Sequence, residues 1–212
     1  MSEQTRARTV MRRLAKEYPN AVCALNHRNS YELLVATILS AQCTDERVNQ
    51  TTPAFFKKYP TVRMLAVANQ ADVEELVRPT GFFRNKAKNL IGMAQAVVSR
   101  FKGHIPHAME DLITVPGVGR KTANVIRSVG MGEPGLPVDT HVTRISRRLG
   151  FVNTTDPVKI EKVLNELLPP MEWGLFSLRM IEHGRQVCNA RKPKCDVCVL
   201  SDLCPSAFTF DA

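Results

Sequence analysis

The chain has 212 residues, 44% of them apolar and 23% charged, which fits a globular protein with enough length to bury a core as one large domain or two small ones. No run approaches about 20 consecutive apolar residues, which excludes a membrane-spanning helix. Lys and Arg number 29 against 20 Asp and Glu, a formal charge of +9, so the choice lies between a polyanionic partner and a charge that only aids solubility.

The opening MSEQTRARTV has no apolar core of the kind a signal peptide needs. The expectation is an intracellular, reduced setting without a targeting signal, in which the six cysteines are not a disulfide framework. Val10 and Leu14 then lie on one face of a first helix. Leu33, Leu34, Ile38 and Leu39 mark a second, largely buried one. Leu90, Met93, Ala94, Val97 and Val98 repeat the i, i+3, i+4 spacing of an amphipathic helix. Val142, Ile145 and Leu149 do so again before Gly150, which can stop a helix, and Leu164, Leu167 and Leu168 mark one more. Period-2 alternation is absent, so the predicted class is all-α. The Gly- and Pro-rich stretch Gly130–Pro137 forbids a continuous helix and is the candidate link between two lobes.

Three segments carry chemistry. Leu112 to Val125 read LITVPGVGRKTANV. An amphipathic helix is expected to end near Thr114-Val115, with a tight turn over Pro116–Gly119 and a second helix from about Arg120. Gly117 and Gly119 would allow positive φ and close approach to another backbone, Val118 would pack inward, and the amides that start the next helix could take a phosphate. The other reading is an ordinary turn between helices. Lys121 sits just inside that second helix. The helix N-terminus and burial in a cleft both disfavour an ammonium, as an amine nucleophile requires; a phosphate contact is the alternative, and position alone does not separate them. Asp139, in Val138-Asp139-Thr140-His141, precedes the next amphipathic helix and reads first as its N-cap.

The last segment is Cys188-x6-Cys195-x2-Cys198-x5-Cys204. Four thiolates this close can wrap tetrahedral zinc or a cubane iron–sulfur cluster, and a single C-x2-C pair tilts the balance modestly from zinc. Arg191, Lys192 and Lys194 lie in the first loop, with Arg185 upstream. They suit phosphate contacts, or they offset the negative charge of the metal centre.

In order, LSAQCTDERVN (39–49), VPGVGRKTANV (115–125), VDTH (138–141) and the four-cysteine spacing resemble the endonuclease III family of helix–hairpin–helix DNA glycosylases. The likeness covers nearly the whole chain. It implies a six-helix barrel over 22–133 and a second lobe from 1–21 plus 134–212 holding a [4Fe–4S] cluster on Cys188, Cys195, Cys198 and Cys204, with the active site in a cleft between lobes. Lys121 matches the family's nucleophile and Asp139 its essential carboxylate. Gln42 matches the residue that fills the gap left by a flipped nucleotide. Phe82 falls where the family places an apolar wedge, commonly Leu, so either Phe82 or Phe83 could serve. Asp45 and His141 match pocket positions. The implied function is bifunctional: removal of oxidised pyrimidines from double-stranded DNA through a lysine Schiff base, then β-elimination 3′ to the abasic site. The implied setting is a monomer on the nucleoid of a bacterial-type cytoplasm.

Three other readings compete. Adenine-mismatch glycosylases share hairpin and cluster but generally lack a lysine at position 121 and carry a further C-terminal domain. A non-catalytic helix–hairpin–helix module with a structural metal would not need both Lys121 and Asp139. An electron-transfer protein would leave the DNA-gripping elements without a purpose.

Overall fold

The computed structural model describes residues 2–209. Residues 1 and 210–212 of the expected cluster lobe lie outside them. Among the described residues there is no β-strand. The α-helices run α1 (Glu3–Glu17), α2 (Ser30–Leu39), α3 (Asp45–Lys58), α4 (Val62–Ala66), α5 (Gln70–Val77), α6 (Phe83–Phe101), α7 (Met109–Leu112), α8 (Arg120–Val125), α9 (Thr140–Arg148), α10 (Pro157–Leu167) and α11 (Trp173–Gln186). None is long and apolar enough to cross a membrane. The chain divides into two compact units, Cys23–Gly132 and Met1–Val22 with Glu133–Ala212.

The unit Cys23–Gly132 is organised around α2, which is apolar nearly all round and therefore buried nearly all round. Leu33, Leu34 and Leu39 are fully enclosed, together with Phe55 of α3, Leu65 of α4 and Leu90, Met93 and Val97 of α6. The helix ends have identifiable causes. Asn29 caps α2 by accepting the Glu32 amide, and Thr44 caps α3 by accepting that of Arg47. A 3-10 turn, Arg78–Thr80, and Gly81 at φ +71 turn the chain into α6. After α8 the helix widens into one π turn, Ile126–Gly130, whose last carbonyl accepts the Ser30 hydroxyl at 2.9 Å.

The other unit packs Ala7, Val10 and Leu14 of α1 with Val142 and Ile145 of α9, Ile160 and Leu164 of α10, and Phe176 and Met180 of α11. Burying a side chain of this size contributes about 1.5–3 kcal/mol, which is what holds a nine-residue helix such as α9 in place. The predicted stop at Gly150 is present. The residue takes φ +67, and the Phe151 amide returns to the Ser146 carbonyl. Leu168 was expected on the α10 face; it is buried, but as the extended residue that ends the helix. Arg6 on α1 donates to the carbonyls of Leu149 and Leu203 and stacks over the Phe151 ring at 4.5 Å, closing the end of α9 with a cation.

Candidate functional site

The hairpin is tighter at its entry than the sequence suggests. α7 ends at Leu112, and Thr114 and Val115 lie in turns rather than in the last helical residues. Val118 packs inward at 6% exposure, and its amide donates to the Val115 carbonyl. The two glycines do different work. Gly117 takes φ +77, and a Cβ there would lie 3.1 Å from Asn89 Cβ. Gly119, expected to share this conformation, is at φ −87 in extended geometry at the start of α8. A Cβ on Gly119 would meet nothing within 4 Å. That open face lies beside the first amides of α8, where an anion can reach them.

Lys121 is the second residue of α8 and is exposed, not buried as the cleft reading required. Its place in the first turn of α8 is as the sequence predicts. Half-buried Cys23 is its electrostatic neighbour. Burial pushes the Cys23 thiol up; Asp45 pushes the same way and Lys121 against it. The fold thus brings Lys121 and Asp45, distant in sequence, within range of one thiol. Asp45 opens α3 immediately after its Thr44 cap. A groove of about 870 Å³ opens on the same unit beside Cys23, lined also by Leu25, His27, Glu32, Asn49 and Phe56; Lys121 and Asp45 are not among its walls.

Gln42 and Phe82 share an unusual backbone. Gln42 has φ +53 and Phe82 φ +47, in the left-handed region that side chains other than glycine seldom enter. Both are exposed, Phe82 at 65%. Phe83 instead sits half-buried against the core, with the Arg78 and Arg84 guanidinium groups 5.2 and 5.6 Å from its ring centre. Of the two aromatics, Phe82 is the one whose ring is free to leave the surface.

In the other unit, Asp139 is the N-cap of α9. Its Oδ1 accepts the amides of His141 at 2.8 Å and Val142 at 2.9 Å, while Oδ2 lies 3.0 Å from His141 Nδ1. α9 is anchored to the cysteine loop by two arginines one helical turn apart. Arg144 donates to the Gly184 and Cys188 carbonyls. Arg148 donates to Cys188 Sγ at 3.2 Å and to the Asn189 and Ala190 carbonyls. Gly184 permits the approach, since a Cβ there would stand 2.6 Å from His141 Cδ2. The i, i+4 spacing of Arg144 and Arg148 was visible in the sequence, but nothing there showed that both point at the loop.

Cys188, Cys195, Cys198 and Cys204 line one small apolar hollow with Arg148, Val187 and Pro193. Burial pushes the Cys198 thiol up, the Leu200 amide opposes this from 3.4 Å, and the other three sulfurs add to the rise. Four thiolates so placed require a cationic centre to hold them. Among the described residues no three His, Cys, Asp or Glu side chains converge closely enough to chelate a single metal ion. A cubane does not ask for that, because each thiolate binds a different iron. Arg191, Lys192 and Lys194 are exposed on the loop between the first two cysteines, and the Lys194 amide closes that loop on the Val187 carbonyl at 3.0 Å.

Residues 35–170 match the HhH-GPD superfamily of base excision DNA repair proteins, and residues 188–204 match the iron–sulfur binding domain of endonuclease III. The chain belongs to the endonuclease III family. Endonuclease III of Synechocystis sp. is 52% identical over 97% of this chain and 94% of its own length. That of Bacillus subtilis is 40% identical over 88% of this chain and 86% of its own. A solved structure described as a trapped endonuclease III–DNA covalent intermediate, 40% identical, superposes with a TM-score of 0.91 over 99% of both chains. A thermostable thymine-DNA glycosylase at 20% identity shares the fold with a TM-score of 0.88, over 97% of this chain and 98% of its own. The cofactor of this endonuclease III family member is a [4Fe–4S] cluster, as the cysteine hollow fits. Sequence reasoning passed over Lys86, which is buried at 4% exposure on the apolar face of α6. Its one signal was a lysine at position i−4 from Leu90, on the stripe that the buried residues define.

Proposed function

We propose that Lys121 is the nucleophile of this enzyme and Asp139 the carboxylate that serves it. The chain is a DNA N-glycosylase and abasic-site lyase of base excision repair that removes oxidised pyrimidines. The reading is carried by one observation: an exposed amine on the first turn of α8, directly after a hairpin whose Gly119 face is open. Phosphates of double-stranded DNA would settle on the hairpin amides and on Arg191, Lys192 and Lys194, which grip any sequence alike. A damaged base lies inside the stack, so its nucleotide must be flipped out, with Gln42 filling the gap and Phe82 wedging the neighbouring step.

Neutral Lys121 Nζ attacks C1′ and the base departs. The Asp139 carboxylate stabilises positive charge on the sugar and takes a proton from the attacking amine. The amine and the opened sugar form a Schiff base. This acidifies the 2′ proton, whose loss expels the 3′ phosphate in a β-elimination, and water then releases the lysine. Asp45 and His141 are the residues expected to contact the flipped base. Cys188, Cys195, Cys198 and Cys204 would hold the [4Fe–4S] cluster, one thiolate to each iron. The cluster when bound supplies a rigid, cross-linked frame for the basic loop. Cys23–Gly132 is the barrel lobe, one residue shorter at each end than the expected 22–133, and the other unit is the cluster lobe. The protein acts as a monomer on the bacterial nucleoid. Borohydride reduction on abasic DNA, followed by peptide mapping, tests the assignment: the adduct is expected on Lys121, and an adduct elsewhere overturns it.

A further inference from the structure

Lys86 is the one buried lysine among the described residues, and the chemistry above does not use it. Its Nζ donates to the Leu39 carbonyl at 2.8 Å and to the Thr80 carbonyl at 2.7 Å. Its own backbone amide donates to the Phe82 carbonyl at 3.1 Å. Leu39 is the last residue of α2, three positions before Gln42. Thr80 ends the 3-10 turn, two positions before Phe82. One residue therefore ties together the roots of two separate loops, and at the exposed tip of each stands a side chain other than glycine in left-handed backbone geometry. Two strained residues persist only where their surroundings over-determine them. Burial draws the Lys86 ammonium below the usual lysine range, so the lysine is retained against a desolvation cost that an apolar residue on this face would avoid.

We propose that Lys86 is a positioning residue for duplex opening: with its backbone fixed in the first turn of α6 behind Phe82, its two ammonium hydrogen bonds hold the Gln42 loop and the Phe82 loop at one spacing, so that both tips enter the base stack together. The inference rests on the reading of Gln42 and Phe82 as the residues that open the duplex. A cation suits the post. The closing carbonyls of a helix have no partner within it, and an ammonium can satisfy two acceptors from different directions where a methylene chain satisfies none. Without the lysine, each loop could relax from its left-handed geometry independently of the other.

The test compares two substrates under single turnover with the intact holoenzyme. One is a fully paired duplex bearing thymine glycol, which must be opened. The other is a single-stranded abasic oligonucleotide, which needs no opening and is read by borohydride trapping. Lys86→Met should lower the rate on the paired duplex by about ten-fold and leave single-strand trapping within about two-fold. In a Gln42→Ala/Phe82→Ala background, Lys86→Met should change the paired-duplex rate by less than about two-fold, because the lysine acts through those two side chains. Equal losses on both substrates, an undiminished loss in that background, or no loss at all would overturn the proposal. If Gln42→Ala/Phe82→Ala by itself opens and processes the paired duplex at the parent rate, the underlying wedge reading has failed instead. Lys86→Gln, which keeps amide donors, replaces Lys86→Met if the latter does not fold. If neither variant folds, the lysine serves the fold alone and the proposal falls.

Discussion

Asp139 divides its carboxylate between two tasks: Oδ1 closes the N-terminus of α9, and Oδ2 faces His141 Nδ1 at 3.0 Å. The cap reading and the catalytic reading of this residue are therefore compatible, and they can be separated by isosteric substitution. Asp139→Asn keeps an oxygen for the His141 and Val142 amides and loses the charge. Its melting temperature should stay close to the parent's, since a retained cap costs little of the ~1 kcal/mol at stake. Its base-removal rate on thymine glycol duplex should fall by ~10²-fold or more. Parent-like turnover with lowered stability would return Asp139 to a structural role.

Lys121→Ala should lose borohydride trapping and strand cleavage while binding abasic duplex within a few-fold of the parent. Lys121 is exposed and caps nothing, so its removal should leave thermal unfolding unchanged to within ~0.5 kcal/mol. Undiminished trapping would remove the central mechanistic claim.

The hairpin glycines should respond in opposite ways. Gly117→Ala places a Cβ at φ +77 and 3.1 Å from Asn89 Cβ, and should cost ~1–3 kcal/mol of stability by chemical denaturation. Gly119→Ala meets no protein atom and should fold as the parent does, yet weaken duplex binding, because the methyl occupies the side from which a phosphate would approach. Normal binding by Gly119→Ala would show that no phosphate rests there.

Neutralising Arg191, Lys192 or Lys194 one at a time should weaken binding to damaged and undamaged duplexes alike. Each should reduce the slope of log K against log salt by about one. A lesion-selective loss would contradict a purely phosphate-directed role.

Protein purified gently should be brown and carry about four irons per chain. Cys198→Ala should lower iron content and solubility together, because the loop from 188 to 204 has only short 3-10 turns of its own. Arg148→Met should do so more mildly, through loss of its contacts to Cys188 Sγ and the Asn189 and Ala190 carbonyls. A colourless, stable protein with one zinc per chain would refute the cluster.

Residue type and spacing alone carried the helical class, the stop at Gly150, the inward Val118, the cap at Asp139 and the cysteine centre. Each of these is a local matter, decided by periodicity of 3.6, by a missing Cβ, by a short acidic side chain ahead of a helix, or by thiols too near one another to be unrelated. Tertiary structure decided the rest. That a Cβ would be crowded at Gly117 but not at Gly119 depends on where Asn89 of α6 stands. That Phe82 is exposed while Phe83 packs against the core depends on which ring the core accepts. The nearness of Lys121 and Asp45 to Cys23, the grip of Arg144 and Arg148 on the cysteine loop, and the reach of Lys86 to Leu39 and Thr80 all join segments far apart in the chain. A linear pattern records which face of a helix is apolar; only packing against a particular neighbour determines what a polar side chain on that face will meet.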